Sequence, residues 1–110
     1  MEDNTKYQLL KIYISEDTRY KSHNLYNALV FKLKELEIVG VTVTRGIAGY
    51  GQNKVIYTAR FVEMSSSLPI IIEVVDTKDN IDRVIPEIKE MVKEGLITVE
   101  DINVIHRTNK

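Results

Sequence analysis

The 110 residues are 44 % apolar and 28 % charged, with 15 basic against 16 acidic side chains and no cysteine. That length holds one domain with one core. The balanced charge argues against a general nucleic-acid binder, and the missing cysteine excludes disulfides, thiolate metal sites and a cysteine nucleophile. No apolar run approaches the ~20 residues that cross a bilayer, and Met1–Lys6 has no apolar signal core. The expected location is therefore cytoplasmic.

Residues 1–6 are polar and expected to fray, as are 107–110. Tyr7–Ser15 reads as a strand, with Leu10, Ile12 and Ile14 on one face and Leu9, Lys11 and Tyr13 on the other. Glu16–Lys21 is a polar connection, and Ser22 is a candidate N-cap for a helix running to about Glu37. Leu25, Leu29, Leu33 and Leu36, widened by Tyr26 and Val30, form its apolar stripe. Ile38-Val39-Gly40 leads into a second strand, where Val41 and Val43 alternate with Thr42 and Thr44.

Gly46, Gly49 and Gly51 then fall within six positions. Such a run can turn sharply and aim backbone N–H groups at one point, often for an anionic ligand; it can also be a plain turn. Residues 49–66 have no clean period and read as an extended excursion, closed by the turn Ser65-Ser66-Ser67. Leu68-Pro69 opens a third strand, Ile70–Val75, whose continuous β-branched run predicts a central position. Asp76–Asn80 supplies capping residues for a second helix from about Ile81 to Lys93. Pro86 should kink or split that helix. Gly95 suits a helix end. Ile97–Ile105 carries a slip in its alternation at Glu100-Asp101, which predicts a turn or bulge and a final strand over Ile102–Ile105.

The order is βαβ, loop, βαβ. It predicts one α+β domain over residues 1–110 with the ferredoxin-like split-βαβ plan, a four-stranded antiparallel sheet with two helices on one face. The other face carries Leu9 and its neighbours and needs cover, which self-association would supply.

Gly40-Val41-Thr42-Val43 followed by Gly49-Tyr50-Gly51 resembles the second strand and loop base of the PII signal-transduction proteins. Thr42–Gly51, read with Leu68-Pro69-Ile70-Ile71-Ile72-Glu73-Val74-Val75-Asp76, more closely resembles the PII-like group called domain of unknown function 190, from Tyr7 to about Val104. The resemblance implies a homotrimer with adenine nucleotides bound in clefts between subunits. It also implies a T-loop-like excursion, here 49–66, that controls a partner such as a membrane transporter or channel. No catalysis, required cofactor, metal or nucleic acid is implied. The phosphate cradle expected after the second helix is replaced by Lys93-Glu94-Gly95-Leu96-Ile97-Thr98. AMP, ADP or a cyclic nucleotide therefore suits the chain better than Mg-ATP.

The expected ligand-binding residues are Gly40, Thr42, Thr44, Arg45, Gly46, Gly49, Tyr50, Gly51, Gln52 and, by the resemblance, Arg107. Arg45 would hold a phosphate or an ion-pair partner. Tyr50 would stack on a base or pack at the loop root. Glu73 would pair with a basic residue at a subunit interface or face water. Tyr57 does not keep the register of the tyrosine modified in some PII loops. His23 and His106 have no metal spacing. The alternatives are a constitutive interaction module without an effector, and a trimer resembling the CutA metal-tolerance proteins.

Overall fold

The computed structural model describes residues 4–51, 56–58 and 67–108. Its centre is a pair of nine-residue strands, β1 (Tyr7–Ser15) and β7 (Pro69–Thr77), antiparallel and in register from Tyr7↔Thr77 to Ser15↔Pro69. Between them in sequence lie a short hairpin, β2 (Arg19–Tyr20) with β3 (His23–Asn24), helix α1 (Leu25–Glu35) and strand β4 (Thr42–Arg45). A second small ribbon, β5 (Ala48–Gly49) with β6 (Tyr57–Thr58), follows. Helix α2 (Lys78–Met91) and strand β8 (Leu96–Ile102) complete the chain. The main sheet has the order β4-β7-β1-β8, antiparallel throughout. This is the α+β, ferredoxin-like arrangement that the element order predicts, with β7 central as its β-branched run requires.

Period-2 alternation assigns the faces. Leu10, Ile12 and Ile14 of β1 and Ile70, Ile72 and Val74 of β7 are buried against Leu25, Leu29 and Leu33 of α1 and Ile81, Val84 and Ile88 of α2. Lys32 on α1 reaches both Glu35 and, across to α2, Glu87. Among the described residues no helix covers the opposite face. It carries Leu9, Lys11 and Tyr13 of β1, Ile71, Glu73 and Val75 of β7, Thr42 and Thr44 of β4, and Leu96, Thr98 and Glu100 of β8.

Four local expectations are corrected. Ser22 does not cap α1. The chain first makes the β2–β3 hairpin, in which Arg19 donates to Asn24 Oδ1 and to the Ser22 carbonyl. The cap position falls on Asn24, whose side-chain oxygen is already engaged by Arg19 and makes no cap bond. The helix also ends before Glu37. Glu37 takes φ +67°, Ile38 N donates to the Leu33 carbonyl and Glu37 N to that of Lys34, the paired bonds of a Schellman ending. Pro86 does not split α2. The helix runs through it, because Pro86 lies on the exposed side, where its missing N–H removes one bond without opening the core.

Nor does the last strand begin at Ile102. β8 is continuous from Leu96 to Ile102, and residues 103–108 have no regular structure. The apparent slip at Glu100-Asp101 is a polar row on the helix side of the sheet. Asp101 lies opposite Gln8 and accepts from its Nε2 at 2.9 Å. Gln8 is itself opposite Asp76 on β7. Buried Asp76 accepts from Thr77 N at 2.7 Å, Asn80 Nδ2 at 2.9 Å and Val39 N at 3.4 Å, tying the start of α2 to the segment before β4. Thr77 caps α2, accepting from Asn80 N.

Two substitutions test this account by urea unfolding. Glu37→Gly relieves a left-handed conformation costly for any residue with a Cβ, and is expected to stabilise the domain by about 1 kcal/mol. Asp76→Ala removes a buried acceptor of three hydrogen bonds, from Thr77 N, Asn80 Nδ2 and Val39 N, and is expected to cost about 3 kcal/mol.

Candidate functional site

The candidate site is built where the two strand ends Ser15 and Pro69 meet. Past Ser15 the chain turns through Glu16 and Asp17, and this acidic turn grips both arms of the ribbon. Glu16 N donates to the Leu68 carbonyl at 2.9 Å. Ser67 Oγ donates to Asp17 Oδ2 at 2.6 Å, and Ser15 Oγ to Asp17 Oδ1 at 2.7 Å. These bonds, the one from Ser67 first, lower the Asp17 pKa from its ordinary 3.8, outweighing the opposing effect of burial. On the other arm, Arg45 Nη1 donates to Glu16 Oε2 at 2.9 Å. The ion-pair reading of Arg45 is therefore the one realised within the chain.

Gly46 and Gly49 have a steric reason to be glycine. Gly46 N donates to the Pro69 carbonyl at 2.7 Å, and both glycines lie against the Pro69 ring. A Cβ at Gly49 would sit 2.9 Å from Pro69 Cγ, and one at Gly46 3.0 Å. Gly95, across the sheet at the start of β8, is as constrained: its φ is +155° and a Cβ there would meet the Tyr13 carbonyl oxygen at 2.6 Å. Gly40 and Gly51 have open space around them.

Between Gly49–Gly51 on one side and Glu94–Leu96 on the other lies a concavity of about 790 Å³. Its floor includes Tyr13, Ile71 and Leu96, one cross-strand row of the open face, with Pro69 beside them. Ser67 and Thr18 close the end, and Tyr50, 69 % exposed, stands at the lip. The volume and mainly apolar lining are those of a small-molecule site.

The residues expected at the site fall into two groups. Arg45, Gly46, Gly49, Tyr50 and Gly51 gather at the ribbon root. Gly40 and Arg107 lie at the other end of the sheet, about 20 Å away along the strands. Gly40 adjoins β4, next to Val39, which bonds Asp76. The Arg107 guanidinium lies 5.8 Å from the centre of the ring of Tyr7, the first residue of β1. Thr42 and Thr44 sit between the groups on β4, opposite Glu73 and Ile71. Glu73 finds its cation within the chain, Lys11 at 3.9 Å on the facing strand, and both are partly exposed. Gln52 lies outside the described residues, as does most of the 49–66 excursion. Tyr57 is described only as the backbone partner of Gly49. Sequence reasoning missed Tyr13, Ile71, Leu96 and the Glu16-Asp17 turn; only the β1–β7 and β1–β8 registers bring them to the glycine loop.

The chain matches the family called domain of unknown function 190 (DUF190), described as an uncharacterised ACR, over residues 7–104. It belongs to the DUF190 family. Among its relatives is a UPF0166 protein of Aquifex aeolicus, 41 % identical over 92 % of this chain and 95 % of its own length. The UPF0166 protein MJ1524 of Methanocaldococcus jannaschii is 40 % identical over 90 % of this chain and 92 % of its own length. A second UPF0166 protein of Aquifex aeolicus is 30 % identical over 87 % and 94 %. No described helix of this DUF190 chain is long and apolar enough to cross a membrane. No group of three or more His, Asp or Glu side chains among the described residues is placed to hold a metal ion.

The clasp at the ribbon root is testable by titration. Asp17, with its pKa lowered in the folded chain, contributes stability above its unfolded pKa near 3.8 and loses it as pH falls through the lower folded value. In Ser67→Ala the folded pKa is expected to move back up toward 3.8, read from the Asp17 carboxyl carbon by NMR. An unmoved pKa would show that the Ser67 hydroxyl does not hold the turn.

Proposed function

We propose that this DUF190 chain is a non-catalytic regulatory protein. It assembles as a homotrimer through its open sheet face and binds a small effector at the seams. It controls a partner, such as a membrane transporter or channel, through the ribbon that leaves the site. The effector class is an adenine nucleotide of low phosphate count: AMP, ADP or a cyclic form. The observation that carries this reading is the open face itself, with a ligand-sized concavity at the point where the ribbon departs.

A chain this small leaves Val75 41 % and Leu96 57 % exposed on a sheet face that no described element covers. A second layer from other copies is the economical cover. Gly40 and Arg107 are near the same end of the sheet but apart, Gly40 beside the edge strand β4 and the Arg107 guanidinium by Tyr7 on β1, two strand spacings or about 10 Å away. A closed ring that sets the β4 edge of one copy beside the β8 edge of the next would place Gly40 of one copy beside the strand that leads to Arg107 of another. The resemblance to PII signalling proteins supports the same assembly and the effector class. Ile47, Tyr50 and Ile56 on the ribbon are apolar and mostly exposed, which suits a surface that docks on a partner.

Ligand control follows from the joint at the ribbon root. Ser67, Gly49 and Gly51 line the concavity and belong to both arms of the ribbon, so a ligand that touches them differently in two ribbon orientations would favour one. Sedimentation is expected to give the mass of three 12.7 kDa chains, and Val75→Lys with Leu96→Lys to reduce it to one. A stable single chain in the unaltered protein would overturn the assembly and the seam site with it.

A further inference from the structure

The side chains around the concavity restrict what can enter it. Its floor is the row Tyr13, Ile71 and Leu96 with Pro69 beside it, a flat apolar surface on which an aromatic ring can lie. Tyr50 at the lip offers a second ring. The backbone of Gly49–Gly51 passes along one wall and can pair with the edge of a planar heterocycle.

The charges point the same way. Among the described residues no lysine or arginine lines the concavity, whereas Glu94 does. The Ser67 hydroxyl on its wall already donates to the Asp17 carboxylate. Arg45, the cation nearest in sequence to the glycine loop, is held by Glu16. An anionic group brought here meets the Glu94 carboxylate and, among the described residues of the lining, no lysine or arginine, an arrangement that disfavours phosphate and favours neutral or hydrogen-bond-donating groups.

We propose that the concavity takes the uncharged, aromatic end of its ligand and gives phosphate no partner, so that a nucleoside is a sufficient ligand. This rests on the effector reading above and narrows it: the base and sugar carry the affinity, and any phosphate points outward into water.

Calorimetry with adenosine, AMP, ADP and ATP tests the proposal, at about 50 and 300 mM sodium chloride, where screening differs strongly. Adenosine is expected to bind within about threefold of AMP, with ADP and ATP no tighter and little change with salt, as for a site without phosphate contacts. A gain of about tenfold or more with each added phosphate, lost at high salt, would overturn the proposal and leave the effector reading standing. Binding of none of the four would overturn both. Glu94 is exposed, so Glu94→Lys is expected to leave the fold intact and place a cation on the wall. It should raise the affinity for AMP over adenosine by about tenfold, the size of one new charge-assisted contact. An unchanged ratio in that variant would overturn the placement of the ligand beside residues 94–96.

Discussion

The nine-residue antiparallel pairing of β1 with β7 is the constraint on which the remaining structure depends. It fills the centre of the sheet, and its two faces have opposite fates. Leu10, Ile12, Ile14, Ile70, Ile72 and Val74 bury under the helices, while their neighbours stay on the open side. A slip of one residue would exchange these sets, so burial of six large side chains fixes the register tightly. The register then determines both ends of the sheet. At one end it sets Gln8 between Asp76 and Asp101 and starts α2. At the other it puts Ser15 opposite Pro69, which delivers the Glu16-Asp17 turn to Ser67 and Leu68. The ribbon root is thus a consequence of core packing 20 Å long, although none of the root's own residues belongs to the helix–sheet core.

The open face is neither a second core nor an ordinary wet surface. Leu9 and Val75 lie toward one end, and Tyr13, Ile71 and Leu96 toward the other, with Lys11, Glu73, Thr42 and Thr98 as a polar row between. Burying such a row against another copy costs desolvation, and the Lys11–Glu73 attraction offsets only part of it. A polar row in an apolar interface is a known means of setting register between copies, because a shifted arrangement would bury charges against apolar neighbours. The proposed assembly therefore draws its affinity from the two apolar ends and its alignment from the middle. The concavity lies at one of those ends, so what enters it would touch the same residues that the assembly uses.

Period-2 and period-3.6 patterns made the main elements legible. β1 runs over the predicted residues, β7 starts at Pro69, and Thr77 does the capping that the polar run 76–80 promises. The misreadings came from polar residues whose partners are distant or non-helical. Asn24 looked like part of a helix start, yet its side chain serves Arg19 in a hairpin. Asp101 looked like a break in a strand, yet it is satisfied by Gln8, 93 positions away. Glu37 ends a helix in a conformation usually left to glycine, and no composition rule anticipates it. At the site, the glycine loop was legible as a loop. Its floor was not, because Tyr13, Ile71 and Leu96 read locally as strand residues and become a surface only once three strands are aligned.

Two sequence motifs, Thr42–Gly51 and Leu68–Asp76, carried the family resemblance, and in the folded chain they are halves of one joint. Gly46 bonds the Pro69 carbonyl, and Gly49 packs on the Pro69 ring so closely that a methyl group would not fit without displacement. The contact with Pro69 is by itself a sufficient reason for glycine at positions 46 and 49. The motif thus specifies how the ribbon is mounted on the sheet. The floor and walls of the concavity, Tyr13, Ile71, Leu96, Ser67 and Glu94, lie mostly outside the signature. Under the proposed function, the charge and shape of those few side chains, rather than the signature, would decide what the concavity binds.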